Sequence, residues 1–368
     1  MNHAELTISS IRARAVSAPM KRPLGTSAAR MKRAPFVLLD LYTNEDIVGH
    51  AHVFCYLDLA APMICDALEV AGSLLKGASL KPDIIRKICD DHFMLLGNQG
   101  VIGMAISALD VACWDALSQA SGLPLSQYLG GDLSSIPAYN SNGLSISSAV
   151  ADVGEISDEA GYLLDQGFNA IKIRLGRLDH DEDVRAVRAA RSAISNQSLL
   201  MSDYNQTLSV PDALARGADL EKEGLYWIEE PISYEDLDGN SQLTKALHVP
   251  IQNGENYSNL SFLAMAMTMK SMDYVMVDLM RIGGVSGWMH AAVLAKEAGI
   301  PMSSHLYPEV SAHLLAATPT AHWLEYVDWG EVFILNPIRF SKGKAEVPTE
   351  PGTGVFWDED AVARYSLG

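Results

Sequence analysis

The sequence predicts an α/β protein in which a (β/α)-barrel of the TIM type follows a smaller α+β domain. Three observations carry this. The 368 residues exceed what one hydrophobic core usually supports. The first 130 or so residues mix strand-like alternation with amphipathic helical stretches. Beyond Gly130-Gly131, short apolar runs recur, each ending in a polar residue and followed by a longer amphipathic stretch.

In chain order, Glu5–Val16 and Phe36–Tyr42 alternate apolar and polar residues and are rich in β-branched side chains, which predicts strands of a small antiparallel sheet. Helices are expected over Ala60–Lys76, Pro82–Leu96 and Met104–Ala120, the last stopped by Gly122 and Pro124. These elements form a first domain, residues 1–133. The runs AIKIR, LLMSDYN, YWIEEP, IQNGEN, YVMVDLM, IPMSSH and HWLEYV then read as strands. Their polar ends Arg174, Asp203, Glu229, Glu255, Asp278, His305 and Glu325 are 29, 26, 26, 23, 27 and 20 positions apart, about one βα unit each. PAYNSNG, near Ser141, supplies an eighth strand. Eight such units close into a barrel over residues 134–335, with catalytic groups at the C-terminal ends of the strands. Residues 336–368 leave the repeat, and VPTEPGTGVFWDED reads as a surface extension that packs back on the first domain.

Composition narrows the function. With 48% hydrophobic and 20% charged residues the chain is that of a folded protein. A net charge of −18 argues against a nucleic-acid partner, because phosphate binding needs concentrated Lys and Arg. The start, MNHAELTISS, shows no charged stretch followed by an apolar run, and no run of about 18 apolar residues suggests a membrane span. The four cysteines, Cys55, Cys65, Cys89 and Cys113, form no CxxC pair, as expected of buried thiols in a reducing, cytoplasmic setting.

Three carboxylates, Asp203, Glu229 and Glu255, fall at successive strand ends, where their oxygens can converge on a hard cation. Oxygen-only donors favour Mg²⁺, or Mn²⁺, over zinc. Glu230, beside Glu229 in EEP, is the alternative, since a one-residue slip turns a strand side chain to the other face. Any one of these acids alone reads as a helix cap or a surface acid; their joint spacing is what points to a metal. His305 ends IPMSSH one unit after Asp278, which can bond one ring nitrogen and raise the basicity of the other, making a general base. The other histidines lack such a partner, and His50, His52 and His313 read as structural or accessory. Lys172 and Arg174 lie two apart, hence on one strand face. They either pair with the acids or neutralise a bound carboxylate.

In this order these residues resemble the enolase superfamily, specifically its mandelate racemase branch. The resemblance covers essentially the whole chain and is carried by SDYNQ, WIEEP, RIGGVSGW and IPMSSHLYPEVSAHLLAATPTAHWLE. It implies an α+β domain capping a modified barrel, and Mg²⁺ held by Asp203, Glu229 and Glu255. It implies His305 with Asp278 as base on one face of the α-carbon, Lys172 on the substrate carboxylate, and Glu325 as a hydrogen-bond donor to the enediolate, a role that requires a raised pKa. Asn205 and Ser141 would touch polar groups of the substrate, and Leu24, Met31, Phe54, Tyr56 and Leu306 would surround its side chain. The partner so implied is a small carboxylate, and the assembly a homo-oligomer.

One position departs from the family pattern. Where family racemases have Lys-x-Lys, this chain has Lys172-Ile173-Arg174, and a guanidinium with a pKa above about 12 is a poor proton acceptor. The expected reaction is therefore metal-assisted removal of the α-proton of a 2-hydroxy acid by a mandelate racemase-like isomerase. The alternative is dehydration of a sugar acid by the single dyad. The mostly apolar side-chain positions favour the first reading. Lys21, Arg22, Arg30, Lys32 and Arg33 crowd one segment, either as a solvated loop or as a field that attracts an anion.

Overall fold

The structure, a computed structural model, describes residues 5–27 and 29–367; residues 1–4, part of the start read above for an export signal, lie outside them. Strand β1 (Ile8–Gly25) pairs antiparallel with β2 (Arg30–Thr43), and β2 with β3 (Val48–Phe54). The first two strands outrun their sequence patterns because, past a register shift after Pro19↔Arg33, they pair again at Leu24↔Met31 as a projecting arm. Strand β3 went unpredicted, since His50 and His52 break the apolar run GHAHVF. Yet His52 is buried against the rings of Phe36, Tyr307 and Trp357.

Helices α1 (Ala60–Leu75), α2 (Pro82–Phe93) and α3 (Gly100–Ala120) cover this sheet, followed by the short α4 (Leu125–Tyr128). Helix α2 ends before the expected Leu96, leaving Met94, Leu95 and Leu96 exposed despite their apolar character. Helix α3 is long and apolar enough to cross a membrane by length and composition alone, although no run of about 18 apolar residues occurs in it. It is instead the core helix of the first domain, with 67% of that window buried in protein.

Eight parallel strands follow: β4 (Ile136–Asn140), β5 (Ala170–Arg174), β6 (Leu199–Asp203), β7 (Ile228–Glu229), β8 (Ile251–Asn253), β9 (Tyr274–Asp278), β10 (Met302–His305) and β11 (Leu324–Tyr326). Each pairs with its sequence neighbour from β4 to β10, and β11 pairs back on β4. The ring closes where Ser304 N–H donates to Trp323 O (3.0 Å) and His322 N–H to Met302 O (2.9 Å). The chain is thus an α/β protein, a (β/α)-barrel with an N-terminal α+β cap.

The intervening helices are α5 (Val153–Asp165), α6 (His180–Ala193), α7 (Val210–Leu220), α8 (Leu237–Ala246), α9 (Leu260–Thr268), α10 (Leu279–Ile282), α11 (Gly284–Ala298) and α12 (Pro308–Ala316). Six of them start where a side chain accepts a main-chain N–H of the first turn: Asp152, Asp179, Ser209, Asp236, Asn259 and Asp278. Such caps stabilise by about 1 kcal/mol each and place the strand-to-helix turns. The chain ends in a hairpin, β12 (Phe340–Ser341) and β13 (Lys344–Ala345), with β13 antiparallel to β4, and in α13 (Glu359–Arg364). This segment touches both parts of the molecule, since Trp357 Nε1 donates to Asp40 Oδ1 (2.6 Å) and Ser366 bridges Val16.

Three of the five cations of the basic segment are bonded to residues of the barrel region. Arg22 pairs with Glu159 (3.0 Å), Lys21 with Glu331 (3.0 Å), and Arg30 donates to Ile146 O (2.7 Å). Ser27 Oγ adds a bond to Tyr204 O (2.8 Å), so the β1–β2 arm is fastened across the barrel mouth. Gly25 permits this closeness, because a Cβ there would stand 2.5 Å from Ile146 O.

Candidate functional site

The arm, the barrel mouth and the β11 loop enclose a cavity of about 210 Å³. Its lining brings together Lys172, Arg174, Asp203, Asn205, Glu255, His305 and Glu325 with Leu24, Met31, Phe54, Tyr56 and Leu306. Arg174, Asp203, Glu229, Asp278 and His305 are the last residues of β5, β6, β7, β9 and β10, so alternation points them inward together. Glu255 lies two residues past β8, and Glu325 sits mid-strand in β11. Ser141, Glu229 and Asp278 do not line the cavity but stand directly behind groups that do. Sequence reasoning missed Trp329, Gln206, Asn256, Thr26, Ala29 and, as a lining residue, gave Glu230 only as an alternative. Asn256 follows Glu255 in the quoted run, but Trp329, four residues past Glu325, carries no periodic signal at all.

His305 and Asp278 are in contact. His305 Nδ1 lies 2.7 Å from Asp278 Oδ2, and Asp278 Oδ1 accepts the N–H groups of Met280 (2.8 Å) and Arg281 (2.9 Å) at the start of α10. The carboxylate therefore accepts the Nδ1–H and leaves Nε2 toward the cavity, 3.3 Å from Glu255 Oε2 and 4.0 Å from Glu325 Oε2. Burial lowers the His305 pKa, but Glu255, the Asp278 bond and Glu325 together outweigh it and raise the group to about 9.

Lys172 is fully buried and holds Glu229 Oε1 (2.6 Å) and Glu325 Oε1 (2.9 Å), with Asp203 Oδ2 at 3.6 Å. Burial disfavours its charge, yet these acids raise its pKa far above the usual lysine value. Glu325 is pushed the other way. Burial raises it, but Lys172, His305 and Arg174 prevail and hold it well below the ordinary carboxylate range. The raised pKa that a donor role for Glu325 requires is thus absent here, and Glu325 Oε2 accepts the Leu306 N–H (3.1 Å) instead. Arg174 pairs with no carboxylate within 4.0 Å among the described residues. Its guanidinium donates to Ser141 O (2.7 Å) and Ser141 Oγ (2.9 Å), and its buried Nε has no partner. Ser141 therefore props Arg174 rather than facing the cavity.

The acids outnumber the cations. Glu229 is fully buried, also accepts from Trp227 Nε1 (3.2 Å) and Gln252 Nε2 (3.1 Å), and is raised to about 8 by burial against the pull of Lys172. Glu230, in a left-handed conformation (φ 39°), takes both oxygens to Asn256 Nδ2 (2.7 and 3.0 Å), which also lies 3.4 Å from Glu255 Oε1. Burial, then repulsion by Glu255, raises the Glu230 pKa well above normal. Among the described residues no three such side chains already stand in ligating geometry. The chemistry of the donor set nevertheless fits a hard cation: all donors are oxygens, they are buried, and their mutual repulsion is relieved by one added positive charge.

Part of the cavity lining is an aromatic wall. Phe54 packs on Tyr56 (centroids 4.7 Å apart) and on Trp329 (5.0 Å), beside Leu24, Met31 and Leu306. Buried acids and cations beside an apolar wall can together accommodate an anion that carries an uncharged bulky group.

Fold and sequence agree with known proteins. The chain belongs to the enolase superfamily, in its mandelate racemase subgroup: residues 9–130 match the mandelate racemase / muconate lactonizing enzyme N-terminal domain, and residues 155–361 the enolase C-terminal domain-like family. It is similar to an enolase from Bradyrhizobium solved with magnesium and mandelic acid (39% identity, 99% of both chains, TM-score 0.93). It is equally similar to an enolase from the alpha-proteobacterium bal199 solved with bound magnesium (38% identity, 98% of this chain and 100% of that one, TM-score 0.94). L-talarate/galactarate dehydratase of Salmonella typhimurium is 30% identical over 266 residues, 72% of this chain and 66% of that protein's length.

Proposed function

We propose that this protein is a Mg²⁺-dependent enzyme that removes the α-proton of a 2-hydroxycarboxylate bearing an aryl or similarly apolar group, in the manner of a mandelate racemase-like isomerase. The observation that carries the reading is the His305–Asp278 pair, whose Nε2, 3.3 Å from Glu255 Oε2, opens into a cavity lined by acids and by Phe54, Tyr56 and Trp329. The magnesium and mandelic acid of the Bradyrhizobium protein support it.

Asp203 and Glu255 with Glu229, or Glu230 in its place, would hold Mg²⁺, which when bound offsets the negative charge that builds on the substrate carboxylate. Lys172 meets the same carboxylate. The arriving anion takes a share of the Lys172 charge from Glu325 and adds like charge beside it, which drives Glu325 toward the protonated state in which it donates. His305 Nε2 takes the α-proton once the charge of Glu255, the largest contribution raising its pKa, is offset. The aromatic wall orients the apolar group and excludes water.

Arg174 favours a second reading. A guanidinium locked on Ser141 gives the opposite face of the α-carbon no ready base, and an enediolate that regains its proton only from His305 turns over usefully when it expels a β-substituent. The protein is then a dehydratase, as the Salmonella relative is. Proton NMR in D₂O with Mg²⁺ and each mandelate enantiomer tests both. Exchange with racemisation supports the isomerase, and exchange of one enantiomer alone supports one-face chemistry. No exchange with mandelate, together with a 2-keto-3-deoxy acid product from a sugar acid, replaces the first reading with the second.

A further inference from the structure

We infer that Arg281 is a positioning residue that holds the proton-transfer pair and the acidic cluster in register, and that Tyr56 is the cap's contribution to that arrangement; the inference rests on the metal-and-base reading above. Arg281 is bonded on both sides. Its main-chain N–H donates to Asp278 Oδ1 (2.9 Å), which fixes the carboxylate that orients His305. Its guanidinium donates to Asn256 Oδ1 and to Glu255 O (3.3 Å). The Asn256 amide, oriented by that bond, presents its Nδ2 to Glu230 (2.7 and 3.0 Å) and toward Glu255 (3.4 Å). One residue thus sets both the base and two of the acids.

The third contact comes from the cap. The Arg281 guanidinium lies 4.7 Å over the Tyr56 ring, and the Tyr56 hydroxyl donates to Asp278 Oδ2 (3.4 Å), the oxygen that also meets His305 Nδ1. Asp278, Arg281 and Tyr56 therefore form a closed ring of contacts between the two domains. Tyr56 sits at φ 60°, a conformation that costs a tyrosine free energy and persists only where the surroundings hold it. Arg281 has no carboxylate within 4.0 Å among the described residues, so it places the acids through a neutral amide rather than through an ion pair. A planar fork of donors with a flat face suits these simultaneous contacts, and a lysine does not.

The test measures Mg²⁺ binding by calorimetry on the full chain, and α-proton exchange of mandelate at saturating Mg²⁺. Arg281→Met and Asn256→Leu each weaken Mg²⁺ binding about 10-fold, the range typical of groups that orient metal ligands, and the double variant is no weaker than either alone because both cut one path. Tyr56→Phe keeps Mg²⁺ binding within about twofold and lowers kcat about 3- to 10-fold with KM unchanged, as expected for loss of one hydrogen bond behind the base. Arg281→Lys stays below half of the parent's kcat. Folded Arg281→Met that binds Mg²⁺ like the parent, or effects of the two substitutions that simply multiply, overturns the inference. Should Arg281→Met fail to fold, Asn256→Leu and Tyr56→Phe decide by the same readouts. A parent chain that binds no Mg²⁺ overturns the metal reading itself.

Discussion

The two ends of the barrel bury polar residues in opposite ways. At the mouth, His305 stands among Glu255, Glu325 and Asp278 and is raised to about 9. At the base, His322 packs among Tyr226, Tyr274, Trp227 and Trp323, accepts or donates one bond with Tyr226 Oη (2.9 Å), and is pushed down to about 4 by burial alone. The base is a plug of rings, in which Tyr139 meets Trp227 edge-on at 5.3 Å. The mouth is a set of charges that do not balance. A barrel spends stability at one end, where chemistry needs charge, and recovers it at the other by apolar packing.

The largest expected effect breaks the comparison at the mouth. His305→Asn keeps a ring-sized polar group but no base, and should cut α-proton exchange at least about 10³-fold with Mg²⁺ binding little changed, measured by NMR in D₂O and calorimetry. If exchange survives, the mouth holds another base and the assignment is wrong.

The second effect concerns the excess acid. Glu229, raised to about 8, and Glu230, raised well above the ordinary carboxylate value, bind more protons folded than unfolded. Their contribution to stability is therefore greatest below the ordinary glutamate value near 4.5 and falls as pH rises toward 8. His52, His313 and His322, each lowered to about 4, act in the reverse sense: stability is lost as pH falls from 6.5 toward 4. The metal-free chain should melt highest between these limits. Glu230→Gln should raise its melting temperature at pH 8 by several degrees, and Mg²⁺ should do the same for the parent, both read by calorimetry with and without chelator.

A smaller effect sharpens the reading of the wall. Trp329→Ala removes one ring beside Phe54 and should raise KM for mandelate about 3- to 10-fold at unchanged kcat, the worth of one aromatic contact. The smallest is at the base. His322→Phe keeps the ring packing, leaves activity unchanged, and lowers stability at pH 7 by about 1–2 kcal/mol, because the bonds to the partly buried Tyr226 hydroxyl and to Ser303 Oγ (3.4 Å) are lost.

Much of the site was legible because the βα period is coarse and repetitive. A strand of known spacing ends in a side chain that faces the axis, so Arg174, Asp203, Asp278 and His305 could be placed without coordinates. The β1–β2 arm was not legible, since its later pairing follows no alternation and is stabilised by bonds to the barrel such as Arg22–Glu159. The hydroxyl of Ser141, which the resemblance places against the substrate, accepts a bond from Arg174, a contact that no spacing reveals. Glu325 was expected to be an acid with a raised pKa, but the sign of its shift depends on Lys172 at 2.9 Å, a distance no spacing reveals.

By itself the sequence determined the eight βα units, the residue types at their ends and the surplus of acids, because periodicity and composition are local properties of a chain. Only the tertiary structure decided how that surplus is shared: Lys172 taking Glu229 and Glu325, Asn256 taking Glu230, Asp278 caught between His305, Tyr56 and the Arg281 N–H. Electrostatic energy and hydrogen bonding depend on distance and burial, and those are set by residues remote in the chain and adjacent in space.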